Sequence, residues 1–231
     1  MKQHLAFLAM MMIGHAGIAL AAPAASWDGL VEVNSRQMGN AALLPGADFR
    51  PYAKLLLDEP EVAFRNNWLR DVNRNTTTAR VTEADAERIL ANTATNTTDI
   101  FTEEFQRAGF DVVTSPGPNV LRVRIGILNL FVNAPDTRGG NRSRTFTTNA
   151  GEATLVMEAR DSQTNALLGR VIDRRETRGA PAGMQPANRV TNTSEFRSLA
   201  RTWARTSTSK LVDLKAVSPV PDPLTPGQRI K

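Results

Sequence analysis

The chain has 231 residues, a formal charge of +5 at neutral pH, no cysteine and two histidines. Both histidines, His4 and His15, fall within residues 1–25, so the remainder holds neither imidazole nor thiol. That excludes Ser-His-Asp and Cys-His nucleophile systems, which need an imidazole to take the proton, and zinc sites built on His or Cys.

Carboxylate-only chemistry and an oxygen-ligand calcium site remain open, and no cofactor is implied. The excess of basic residues, mostly arginine, favours anionic partners such as phospholipid head groups, lipopolysaccharide or acidic glycan. A solvated, arginine-rich surface accounts for the same composition. Nucleic acid is not expected, because aromatic residues are too sparse for a stacking platform.

The first residues read as a secretory signal over residues 1–25. Met1-Lys2 gives the positive start, Leu5 to Leu20 is an apolar run, and Ala19-Leu20-Ala21 offers a small-x-small cleavage pattern. The run is short for a membrane span, which needs about 20 apolar residues. Without a cysteine for lipid attachment, the processed protein is expected free in the periplasm. Nothing after Ala25 is long and apolar enough to span a membrane. With no disulfides available, the exported part must be held by its hydrophobic core.

Residues 26–215 are expected to form one domain. Residues 26–52 are mixed in character, with Pro45-Gly46 marking a turn. Ala53 to Leu57 is a strand, limited by Pro60. Val62 to Trp68 suits either an extended piece or a helical turn. Arg74 to Ala79 is a polar loop. Thr82 then caps a helix, with Asp85 at capping-box spacing and Gly109 as the stop. Along it Ile89, Thr93, Thr97, Ile100, Phe101 and Phe105 recur at helical spacing.

Strands follow at Phe110–Val113, Val120–Val132, 144–160 and Leu167–Glu176. In the second, Leu121, Val123 and Ile125 alternate with Arg122 and Arg124, and Gly126 suggests a bulge. In the third, Leu155 and Met157 alternate with Glu152, Glu158 and Arg160. Asp161 to Asn165 is a hairpin turn. Gly179 to Asn188 reads as a connecting loop. A second helix starts near Asn192, with Glu195 at capping-box spacing, and carries Phe196, Leu199, Trp203, Ser207, Leu211 and Leu214 in one stripe. Residues 216–231, with four prolines, read as an extended, flexible tail.

The pattern predicts an α+β fold: an antiparallel β-sheet with two main amphipathic helices packed on one face, in two layers. The opposite sheet face would carry Arg122, Arg124, Glu152, Glu158 and Arg160 and be partly wet.

Several stretches in order resemble a bacterial family, domain of unknown function 3313. They include Trp27-Asp28-Gly29-Leu30-Val31, Leu44-Pro45-Gly46-Ala47-Asp48-Phe49 and Val62-Ala63-Phe64-Arg65-Asn66-Asn67-Trp68. Later ones are Gly151-Glu152-Ala153-Thr154-Leu155, Glu158-Ala159-Arg160-Asp161-Ser162 and Leu168-Gly169-Arg170-Val171. The resemblance spans about Trp27 to Leu214. It implies a secreted or envelope-associated protein with no assigned activity and supplies no catalytic residues. Many relatives look like lipoproteins; this chain departs from them in lacking the cysteine.

Arg174, Arg175 and Arg178, near Asp173 and Glu176, form the densest charge cluster. Guanidinium forks there could clamp a phosphate or carboxylate, or pair with their own neighbours. Trp68, among Arg65, Asn66, Asn67 and Arg70, suits a partner contact or a cap on the core edge. Asp136, Asp161 and Asp173 lack the spacing of a calcium loop. The expected function is a non-catalytic binding or assembly role in the envelope, its partner an envelope protein, anionic lipid or glycan. The alternative is a carboxylate-only hydrolase acting on envelope glycan or phosphate esters, through residues such as Glu152, Glu158 and Asp173.

Overall fold

The computed structural model describes residues 28–74, 80–132, 145–147, 151–176, 185–187 and 189–230. In chain order they form β1 (Val31–Val33), β2 (Asn40–Leu43), β3 (Lys54–Leu57), β4 (Glu61–Phe64), α1 (Trp68–Arg74) and α2 (Glu83–Arg107). There follow β5 (Asp111–Val113), β6 (Val120–Val132), β7 (Thr145–Thr147), β8 (Gly151–Asp161), β9 (Leu167–Glu176), β10 (Gln185–Ala187) and α3 (Arg189–Val217).

The fold is mixed α+β. Eight strands make one sheet in the order β1-β2-β9-β8-β6-β3-β5, with β4 also paired to β6, and β7 pairs with β10 separately. The β6–β8–β9–β2–β1 part is antiparallel throughout. The expectation of a wholly antiparallel sheet fails at the other end, where β3 runs parallel to both β5 and β6 and β4 runs parallel to β6. The helices α1 and α2 stand between β4 and β5 and carry the chain back to its starting edge, which forces the next strands to run parallel.

Local signals explain most elements. Thr82 caps α2 reciprocally: its side chain accepts from the Asp85 N–H, and the Asp85 carboxylate accepts from the Thr82 N–H. Thr93 and Thr97 sit mid-helix and return their hydroxyls to the Ile89 and Thr93 carbonyls, which lets them be buried. The ambiguous stretch from Val62 to Trp68 is both things in turn: β4, then the start of α1. At the hairpin, the Asp161 carboxylate accepts from the Gln163 and Thr164 N–H groups and the Thr164 hydroxyl.

Other expectations are corrected. The irregularity in β6 lies between Leu128 and Phe131, where Asn129 takes a positive φ; Gly126 pairs in register with Val156. The last helix begins at Arg189, so position 192 lies inside it and is not its N-terminal boundary. Strands β1, β2 and β10 fall in stretches read as mixed or loop. They are three or four residues long, too short for a period to show. The proline-rich end is extended but is packed against the body. Val220 and Leu224 are buried, Val220 exchanges backbone hydrogen bonds with Gly46 and Ala47, and Gln228 bridges to Val33.

Leu121, Val123, Ile125 and Leu155 share one core with Phe101, Phe105, Trp203 and Leu211, with Met157 and Val171 packed against it. Alternation puts these strand residues on one face. The opposite face carries Arg122, Arg124, Glu158 and Arg170 beside exposed Leu128 and Ile172. Trp203 donates its indole N–H to Asp173 of β9 at 2.9 Å, tying α3 to the sheet.

Candidate functional site

The arginine cluster separates along β9. Neighbouring strand residues point to opposite faces. Arg174 is largely exposed and pairs with Glu152 on β8 at 2.8 Å. Arg175 turns the other way, pairing with Asp173 at 2.7 Å and donating to the Gln37 carbonyl. Arg178 lies outside the described residues. Trp68 is buried: its ring stacks on Phe64 with centroids 3.8 Å apart, and its N–H donates to the Val132 carbonyl. It pins α1 to the sheet and has no face left for a partner.

The carboxylates are engaged as well. Glu158 accepts from Arg160 and Arg170, and Arg170 also reaches Asp28 at 2.5 Å. Burial alone would raise the Glu158 carboxyl, but the two guanidiniums more than offset this and hold it below its ordinary range. Asp173 lies on the inner face and accepts from Gly39, Trp203 and Arg175. Glu152 and Glu158 share the outer face but stand six residues apart on one strand, roughly 20 Å. A glycosidase pair needs about 5–9.5 Å across a cleft. Asp136 lies outside the described residues; among those described, no acidic cluster suited to a metal ion occurs. Nor is any described helix long and apolar enough to cross a membrane.

Tyr52 is the chain's single tyrosine. Its hydroxyl donates to the Asp161 carboxylate at 2.9 Å. Burial, reinforced by that carboxylate, pushes the phenol well above its ordinary range. Ultraviolet titration should therefore show no phenolate at pH about 11, where a free tyrosine of pKa about 10 is ionised. A folded pKa above the unfolded one means the contribution to stability is full below pH about 10 and is lost as pH rises further. Phenolate absorbance from still-folded protein near pH 10 would contradict this environment.

The feature with binding geometry is an apolar cavity of about 350 Å³ between the second half of α3 and the inner sheet face. Small residues create it. One sheet rung runs Val123, Ala159, Gly169, Leu43 across four strands, with alanine and glycine side by side in the middle. A side chain at Gly169 would meet the Leu43 methyl at 2.9 Å, so Leu43 lies over this glycine, and beside it Ala159 presents only a methyl group to the cavity. Phe49, Phe105 and Met157 complete the apolar wall. From α3 come Ser207, Leu211 and Leu214, at positions that share a helix face. The Ser207 hydroxyl is buried and has no hydrogen-bond partner among the described residues. The border is polar, with Arg36, Lys210, Asp213 and Arg229. Sequence reasoning missed this site; its one trace was a serine within an otherwise apolar helical stripe.

Residues 24–207 match the model of a protein family described as "Protein of unknown function (DUF3313)". The chain belongs to that family. Comparison with curated proteins finds no match. Among solved structures, it is similar to the PelC dodecamer from Paraburkholderia phytofirmans at 12% identity, covering 75% of this chain and 97% of that one, TM-score 0.38. It is also similar to protein XCC0632 from Xanthomonas campestris, of family DUF330, at 12% identity, covering 79% and 90%, TM-score 0.39. Likeness at this level carries no functional inference for this DUF3313 member.

Proposed function

We propose that this DUF3313 protein is exported to the periplasm and acts there by binding, without catalysis. The apolar cavity beneath α3 carries this reading. Its volume lies in the range of small-molecule sites, roughly 300–1,000 Å³, and it combines an apolar wall with a few polar groups at the border and one inside. The leader pattern in residues 1–25 supports export. The absence of imidazole and thiol beyond it, and the ion pairs holding Glu152, Glu158 and Asp173, support a non-catalytic role. In this reading residues 26–215 form the domain, the helices make a second layer over the sheet, and the cavity lies between the layers. The C-terminal segment closes one wall.

Two measurements test it. N-phenylnaphthylamine, a neutral probe that fluoresces in apolar surroundings, should bind the processed protein and raise its melting temperature by mass action. Ala159→Phe fills the dip and should abolish probe binding in protein that still melts cooperatively. Absence of probe binding to folded protein would overturn the binding site. Recovery of the protein solely from the cytosol would overturn the export.

A further inference from the structure

We infer that the cavity takes a single-chain anionic amphiphile, its alkyl chain against the apolar wall and its carboxylate or phosphate at the arginine-bearing mouth. The inference rests on the binding reading above and names the ligand class for that site.

The charge around the cavity points one way. Arg36, Lys210 and Arg229 border it with their charges, against Asp213 as the sole acidic residue among the described lining, while the Arg170 guanidinium lies on the opposite sheet face with Glu158 and Asp28. One of the three cations is already neutralised, Lys210 by Asp213. Arg36 and Arg229 are exposed and make no ion pair with any described residue. They are far apart in sequence, and the C-terminal segment brings them to one place. The Asn34 N–H donates to the Gln228 carbonyl at 3.0 Å, and Val33 bridges to Gln228. This pairing sets the segment bearing Arg36 beside the one bearing Arg229. Two unneutralised guanidiniums at the mouth of an apolar cavity match an anionic head on an apolar chain.

Ser207 supplies an independent observation. A buried hydroxyl without a partner is unfavourable, and native structures usually satisfy such groups. Ser207 lies three residues before Lys210, so the two are neighbours on the helix surface and both line the cavity. A head-group oxygen reaching past the mouth would accept from this hydroxyl. A wholly apolar ligand would leave it unsatisfied.

The test uses the processed protein and displacement of N-phenylnaphthylamine by dodecanoate, dodecyl phosphate and dodecanol, which share one alkyl chain. At least one of the anions should displace the probe at about tenfold lower concentration than dodecanol, and added salt should reduce that preference. The stronger anion identifies the head group. The double variant Arg36→Glu/Arg229→Glu should weaken anion binding about fivefold to tenfold and leave dodecanol unchanged. Both side chains are exposed and form no ion pair with a described residue, so the variant should melt as the parent does. Arg36→Gln/Arg229→Gln should give a smaller loss in the same direction. Equal displacement by dodecanol and both anions, or unchanged anion affinity in the charge-reversed protein, would overturn the inference while leaving an apolar binding site in place. Failure of the probe itself to bind would instead overturn the binding reading.

Discussion

Asp173→Ala should lower unfolding free energy by about 3–5 kcal/mol, the range for breaking a buried charged network by removing one member. Asp173 is buried in β9, and three donors converge on its carboxylate: the Gly39 N–H at 3.0 Å, the Trp203 indole N–H at 2.9 Å and Arg175 at 2.7 Å. They come from the segment before β2, from α3 and from β9 itself. Glycine at 39 permits the approach, since a side chain there would stand 2.6 Å from the Ile172 carbonyl. Alanine at 173 would leave the buried indole N–H without its acceptor and Arg175 without its counter-charge. Asp173→Asn keeps the shape but can turn only one acceptor oxygen to three donors, so it too should destabilise. Chemical denaturation of each variant measures the effect. A loss below about 1 kcal/mol for Asp173→Ala would mean that water replaces the carboxylate and that α3 is held by apolar packing alone.

Leu155→Asp should leave no folded domain at room temperature. Leu155 is fully buried at the centre of β8, paired with Ile127 of β6 on one side and Asp173 of β9 on the other. The substitution removes a leucine's burial, about 1.5–3 kcal/mol, and buries a new charge directly opposite the Asp173 carboxylate, whose own cation, Arg175, is already engaged. Those terms together approach the whole stability of an ordinary domain, about 5–15 kcal/mol. Glu158→Ala, three residues on and on the opposite face, should be much milder. It frees Arg160 and Arg170, but Arg170 keeps Asp28, and both arginines retain some contact with solvent. Circular dichroism melts of the two variants make the comparison. A Leu155→Asp protein that melts like the parent would require a strand register shifted by one residue, with the arginine-bearing face inward.

Legibility in the sequence followed the range of the interactions. The capping box at Thr82 and Asp85, the stop at Gly109 and the turn from Asp161 to Asn165 were readable because each involves residues a few positions apart. Strands β6 and β9 were readable at their full extents because ten or more residues allow alternation to show. Strands β1, β2 and β10 were not, because three or four residues have no measurable period. Arg174 and Arg175 part to different faces for a reason that strand parity already contains: adjacent strand residues cannot share a face. Trp68 suited a partner contact or a cap on the core edge from its polar neighbours, and it is buried by Phe64 and the Val132 carbonyl, supplied by two other elements.

The amino-acid sequence by itself determined the family, the inward-facing residues of the long strands, and the lack of any histidine or cysteine beyond residue 25. These follow from residue types and local periods. Only the tertiary structure decided that β3, β4 and β5 join the sheet in parallel, that the proline-rich end packs against the body, and that Ala159 meets Gly169 to open a cavity. It also decided that Arg36 and Arg229, at opposite ends of the described chain, stand at one mouth. The physical reason is shared by all four. Each depends on pairing between segments distant in sequence, and a strand edge or a small side chain does not encode which remote partner it will face.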